Sequence, residues 1–140
     1  MSHQYAFLDS YIGLKYDPLG GDGITTVNCY SLLRMVFKQQ RNIDLPAWSV
    51  DDSDVRSAIR ALRSHIKEQI NTKQAMPVLN GDRRDWDIVT VERKGEAHHI
   101  GLYMAGGILH AEKPRSAWEP LHSFQMIRPN ATLRWWRWPI

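Results

Sequence analysis

The chain has 140 residues, of which 43% are hydrophobic and 24% charged, and its net charge is +3. This length suits one domain with one core, over residues 1–140, and this composition is ordinary for a globular protein. No apolar run is long enough to cross a bilayer, there is no repeat or low-complexity tract, and the modest basic excess singles out no anionic partner.

In chain order, Tyr5, Leu8 and Ile12, with Phe7 and Tyr11 beside them, predict a short helix over about 3–12. Residues 17–26, DPLGGDGITT, carry three glycines and a proline and predict a loop. Cys29, Leu32, Leu33, Val36 and Phe37 then recur at helical spacing, so a helix runs from Cys29 to about residue 40 with Cys29 in its first turn. After Pro46 and an acidic cluster, Asp52 or Ser53 can cap a second long helix carrying Val55, Ile59, Leu62, Ile66 and Ile70 on one face. Residues 71–85 are turn-rich. The period then changes: 87–94, 98–105, 107–112 and 131–138 read as strands, with Gly106-Gly107 predicted as a hairpin turn. Helices first and strands after predict an α+β fold, with helices packed on an antiparallel sheet.

Cys29 is the only cysteine, so it makes no intramolecular disulfide. It is either a small buried hydrophobe or a nucleophile served by a base. At a helix start, unpaired amides and the helix dipole favour a thiolate, so the second reading expects alkylation that persists near pH 6. His99 and His110 fall on the two strands of the predicted hairpin, near enough to be cross-strand neighbours on one face. Successive strand residues point to opposite faces, so only one of His98 and His99 can meet Cys29. His3, His65 and His122 sit in unremarkable places, and Asp87 reads as a structural or turn carboxylate. A zinc site of Cys29, His99 and His110 would lack any C-x-x-C or H-E-x-x-H pattern, and no metal or cofactor is expected. The tail Arg134-Trp-Trp-Arg-Trp138 could stack on bases or lie on lipid. The reading taken is strand packing or protein docking, without nucleic acid or a membrane span.

Four segments, in order, carry a resemblance. They are Tyr11-Ile-Gly-Leu-Lys-Tyr16-Asp-Pro-Leu-Gly20-Gly21, Asn28-Cys29-Tyr30-Ser31-Leu32, Trp86-Asp87-Ile88-Val89, and the pair His99-Ile100-Gly101-Leu102 and Leu109-His110-Ala111. Over roughly residues 5–137 the chain resembles the NlpC/P60 family of cysteine peptidases, in particular small members from phage and prophage tail operons. The resemblance implies a papain-like α+β fold and hydrolysis of a peptide amide in peptidoglycan, often at a D-glutamyl–diaminopimelate bond. It implies Cys29 as nucleophile, His99 as base and His110 as the group orienting His99; this selects His99 over His98. Tyr16 and the Cys29 backbone N–H would lie at the oxyanion. The chain departs from the family pattern at Asn28, where an Asp is usual, at Ser31, where a Gly is usual, and at Trp86-Asp87, where Gly-Asp is usual.

The opening MSHQYAFLDSYIG has no basic segment leading into an apolar run. The expectation is synthesis in the bacterial cytoplasm without a signal peptide, and delivery in a virion, at a phage tail tip. Trp135, Trp136 and Trp138 would then dock on tail proteins, with at least one Trp facing outward. The alternative reading is a structural tail-tip component that keeps the fold with little or no activity.

Overall fold

The computed structural model describes residues 3–45, 64, 68 and 76–138. The predicted second long helix lies outside the described residues, apart from Ser64 and Glu68, which are helical. The first element is a 3-10 helix, His3–Tyr11, rather than an α-helix. Its Leu8 and Tyr11 enter the main core. At the two ends of the predicted loop, two short strands pair in parallel: β1, Lys15–Tyr16, and β2, Thr26–Val27. The segment between them is tied by Asp22, whose Oδ1 accepts from the backbone N–H of Ile24, Thr25 and Thr26 at 2.7, 2.7 and 2.9 Å.

Helix α1 spans Cys29–Arg41, as the periodicity predicts. Its start is fixed by a reciprocal cap. Asn28 Oδ1 accepts from Ser31 N–H at 2.8 Å, and Ser31 Oγ accepts from Asn28 N–H at 2.9 Å. The two departures from the family pattern around the cysteine are therefore one feature. Asn28 caps and Ser31 answers it, and together they satisfy two amides that a helix start otherwise leaves open.

The sheet has six antiparallel strands: β3 Met76–Val78, β4 Ile88–Arg93, β5 Glu96–Met104, β6 Gly107–Ala111, β7 Ser116–Pro120 and β8 Thr132–Arg137. Their spatial order is β3-β8-β4-β5-β6-β7. A short helix α2, Leu121–Met126, follows β7. The sequence reading missed β3, β7 and α2, each too short to show a period. The predicted turn shifts by one residue: Ala105 and Gly106 take the positive φ values, 55° and 78°, and Gly107 opens β6. Gly107 has its own reason. A Cβ there would lie 2.4 Å from the Glu119 carbonyl oxygen and 2.5 Å from the Trp118 ring.

Both faces of the sheet are covered. α1 packs on β5 and β6 from one side, in a core holding Leu32, Leu33, Val36, Ile88, Ile100, Leu102, Leu109 and Trp136. α2 packs on β6 and β7 from the other, where Phe124 meets Val89, Val91, Ile108 and Trp135. This corrects the expectation for the tail. Alternation along β8 does split the tryptophans, but Trp135 and Trp136 are 3% and 8% exposed, one in each core, and Trp138 is half-buried. Trp136 Nε1–H donates to Thr90 Oγ1 at 2.8 Å. Trp135 and Trp136 are packing residues in this structure, and Trp138 is partly buried against the main core.

Asp87 is structural, as expected. It is buried, and its carboxylate accepts from Arg137 Nε–H and Nη2–H at 2.8 and 2.9 Å. The residue before it has a left-handed backbone, φ 78°, where the family pattern has glycine and this chain has Trp86. Such a backbone costs a residue with a side chain about 1–2 kcal/mol. The indole offsets that cost: it stacks on Phe7 at 5.9 Å, meets Phe37 edge-on at 5.4 Å and lies under the Arg41 guanidinium at 4.8 Å. Trp86→Ala should therefore destabilise more than Trp86→Gly, by about 1 kcal/mol, because Ala loses the packing and keeps the strain. Urea unfolding of the two variants measures that difference; equal midpoints would place no strain at this position.

Candidate active site

Strand β5 and strand β6 carry the two histidines. Leu102 pairs with Leu109 and Tyr103 with Ile108, so the register continues to Gly101 opposite His110. His99 is then the diagonal neighbour of His110 on the same face, across a position without a side chain. A Cβ on Gly101 would lie 2.6 Å from Ile108 Cγ2 and 3.3 Å from His110 Cβ. That bare position lets the rings meet: His99 Nε2 and His110 Nδ1 are 2.9 Å apart, with the ring planes at 83°.

Four residues that the sequence reading did not single out complete this cluster. His110 Nε2 lies 3.0 Å from Glu119 Oε1 on β7. Glu112 Oε2 lies 4.0 Å from His99 Nε2, and Glu112 Oε1 accepts from Arg128 Nη2–H at 2.6 Å. Phe124 of α2 closes the face, 6.4 Å from the His99 ring and 5.0 Å from the His110 ring. The only advance signal for these residues was proximity in sequence to Ala111 or to the missed elements β7 and α2. His99, His110 and Glu112 are the group among the described residues whose ligand atoms all lie within 4.8 Å of one another. They could surround an ion only if Arg128 released Glu112 and the two rings gave up their hydrogen bond.

Cys29 approaches from the α1 side and is 5% exposed. Its sulfur is served by the backbone N–H groups of Ile100, Tyr30 and Cys29 itself. Ile100 directly follows His99, so the nucleophile candidate is set against the strand that carries the base candidate. Tyr16 reaches the same place because β1 pairs with β2, with Tyr16 opposite Val27 just before the helix. Its phenol lies within electrostatic reach of Cys29 and Glu112. The side-chain contact of the site thus joins His99 to His110, while the Ile100 amide lies near enough to Cys29 to favour its thiolate. Among the described residues, no hydrogen bond joins the Cys29 sulfur to either imidazole.

Burial dominates the electrostatics. It pushes the Cys29 thiol up to about 12 against the pull of the three amides. The expectation of a thiolate near pH 6 is corrected: desolvation outweighs the helix start. Burial likewise raises the Tyr16 and Tyr30 phenols to about 12. It depresses the His99 imidazole well below its ordinary range, with His110, Arg128 and His98 adding to the shift. At neutral pH the site holds a neutral thiol and neutral imidazoles.

The chain matches the NlpC/P60 family model over residues 13–126. A search of curated protein sequences finds no match. Among solved structures, it is similar to the crystal structure of the NlpC/p60 domain of peptidoglycan hydrolase SagA. The TM-score is 0.57 at 16% identity, over 95% of this chain and 97% of that one. The shared architecture is the α+β fold described above.

The pKa shifts set the sign of the stability profile. A histidine held neutral contributes stability that is complete above its ordinary 6.5 and is lost as pH falls through the depressed value. A thiol or phenol held protonated contributes stability that is complete below its ordinary 9.0 or 10.0 and is lost as pH rises toward about 12. The thermal midpoint should therefore be highest between about pH 7 and 9 and fall on both sides. His99→Gln should flatten the acid limb and Tyr30→Phe the alkaline limb; midpoints that keep the wild-type slope in both variants would show that these groups are not held neutral. With 114 of its residues inside the family match (13 to 126), on the fold and with the cysteine and paired histidines just described, the chain belongs to the NlpC/P60 family.

Proposed function

We propose that this protein is a cysteine peptidase acting on the stem peptide of peptidoglycan. The observation that carries the reading is the His99–His110 pair, 2.9 Å apart across β5 and β6, with the amide after His99, that of Ile100, near enough to Cys29 to favour its thiolate. Cys29 is the nucleophile, His99 the general base and His110 the group that holds His99. The sulfur attacks the amide carbonyl as its proton passes to His99. The oxyanion is met by the N–H groups at the start of α1, those of Cys29 and Tyr30, with Tyr16 alongside. His99 returns the proton to the leaving amine, and water then hydrolyses the thioester.

The resemblance to family members of this kind supports a D-glutamyl–diaminopimelate bond as the target. It also supports delivery at a phage tail tip from a cytoplasmic site of synthesis. Assembly there would use surfaces other than Trp135 and Trp136, which are buried.

Purified peptidoglycan incubated with the protein should release peptide fragments detectable by mass analysis. Cys29→Ala should reduce release by about 1,000-fold or more while leaving the far-ultraviolet circular dichroism unchanged. No release by the wild type, or equal release by both, would favour a structural tail component that keeps the fold without the chemistry.

A further inference from the structure

Glu119 lies at the far end of the hydrogen-bonded chain from His99. It sits on β7, opposite Ile108, with a side chain 25% exposed. His110, between Glu119 and His99, is 1% exposed, so its two ring nitrogens have no recourse to bulk water. Each nitrogen has one partner at hydrogen-bond distance: Nε2 has Glu119 Oε1 at 3.0 Å, and Nδ1 has His99 Nε2 at 2.9 Å.

Proton bookkeeping along this chain has one solution for neutral rings. A carboxylate only accepts, so His110 Nε2 carries the hydrogen. A neutral imidazole has one hydrogen, so His110 Nδ1 is an acceptor. His99 Nε2 must then be the donor across the 2.9 Å contact. The one remaining nitrogen of His99, Nδ1, is left unprotonated. Glu112 does not compete for the His99 hydrogen, since its nearer oxygen is 4.0 Å away and its other oxygen is held by Arg128. Ring neutrality is consistent with the depressed imidazole pKa values at both positions.

We propose that Glu119 is a positioning residue that sets the tautomers of both histidines and thereby leaves His99 Nδ1 free to act as the base. This rests on the catalytic reading above for its functional consequence, but the tautomers themselves do not depend on it. No atom is transferred to or from Glu119. It orients one hydrogen on His110, and the second ring repeats the choice. When His99 takes the thiol proton on Nδ1, the imidazolium keeps its Nε2–H donated to His110, and the carboxylate at the end of the chain supports the positive charge through the intervening ring.

The test reads the imidazole nitrogens by nuclear magnetic resonance in the full chain at about pH 8, in both wild type and Cys29→Ala. Both His99 and His110 should be Nε2–H tautomers with unprotonated Nδ1. An Nδ1–H tautomer at either ring overturns the proposal, whether or not the protein cleaves anything. In Glu119→Ala the preference should be lost at His110 and weakened at His99. With peptidoglycan peptide as substrate, kcat should fall about 10- to 100-fold with KM changed little, a smaller effect than misorienting the base directly. Glu119→Gln keeps an acceptor oxygen and should recover most of kcat. Wild-type tautomers and kcat in Glu119→Ala would refute the role. If Glu119→Ala does not fold, the wild-type tautomers and Glu119→Gln decide. A wild type with the expected tautomers but no hydrolysis would fault the catalytic reading and leave the tautomer assignment standing.

Discussion

Everything at this site depends on two backbones coming close enough for imidazoles on neighbouring strands to touch. Side chains on directly opposed strand positions stand side by side, and a third side chain between two diagonal ones normally keeps them apart. Gly101 removes that obstacle. With Ile108 Cγ2 already 2.6 Å from where its Cβ would be, the gap is filled by neighbours rather than by water. Gly107 does the same one strand further on, where the Trp118 ring and the Glu119 backbone press against it. The sheet is therefore drawn tight across β5, β6 and β7, and the polar atoms of His99, His110 and Glu119 form a line through it. α2 then seals the line, with Phe124 against both rings and the Arg128 guanidinium 3.9 Å from the Phe124 ring centre.

The departures from the family pattern fall at backbone positions and are compensated locally. An aspartate before Cys29 would cap α1 through a carboxylate; Asn28 caps through an amide oxygen and gains Ser31 as a reciprocal partner. A glycine before the sheet would adopt φ 78° without strain; Trp86 adopts it and is held there by Phe7, Phe37 and Arg41. The first change exchanges one hydrogen-bonded cap for another, and the second replaces a conformational advantage with a packing advantage. Cys29 stays in the first turn of α1 in the presence of these substitutions.

What could be read in the sequence was what periodicity encodes. The α1 helix, the β5–β6 hairpin and the common face of His99 and His110 follow from spacings of 3.6 and 2 and from the glycines between them. What could not be read was what needs a third dimension. Glu119, Glu112 and Arg128 reach the histidines from β7, from the end of β6 and from the segment after α2, so their roles depend on strand order and not on local pattern. The buried tryptophans were misplaced for a related reason. Alternation along β8 was legible, but one covered face was assumed, whereas α1 and α2 cover both. For the thiol, a helix start is visible in sequence, whereas the desolvation that pushes Cys29 up is not.

That last point bears on how such a site would work. A thiolate–imidazolium pair at rest would place two charges where burial disfavours each of them, pushing the Cys29 thiol up to about 12 and the His99 imidazole down. The neutral pair avoids that cost. Under the proposed mechanism, charge appears only as the sulfur attacks: positive on His99, negative on the carbonyl oxygen. Those are the places where the fold has already oriented dipoles. The amides of Cys29 and Tyr30 stand at the α1 start, and Glu119 backs the imidazole through His110. Groups arranged this way stabilise the transition state more than the resting state, because at rest there is no charge for them to answer. Burial that would count against a reactive thiol in the free protein thus becomes the condition under which a few fixed dipoles and one carboxylate act strongly on the reacting atoms.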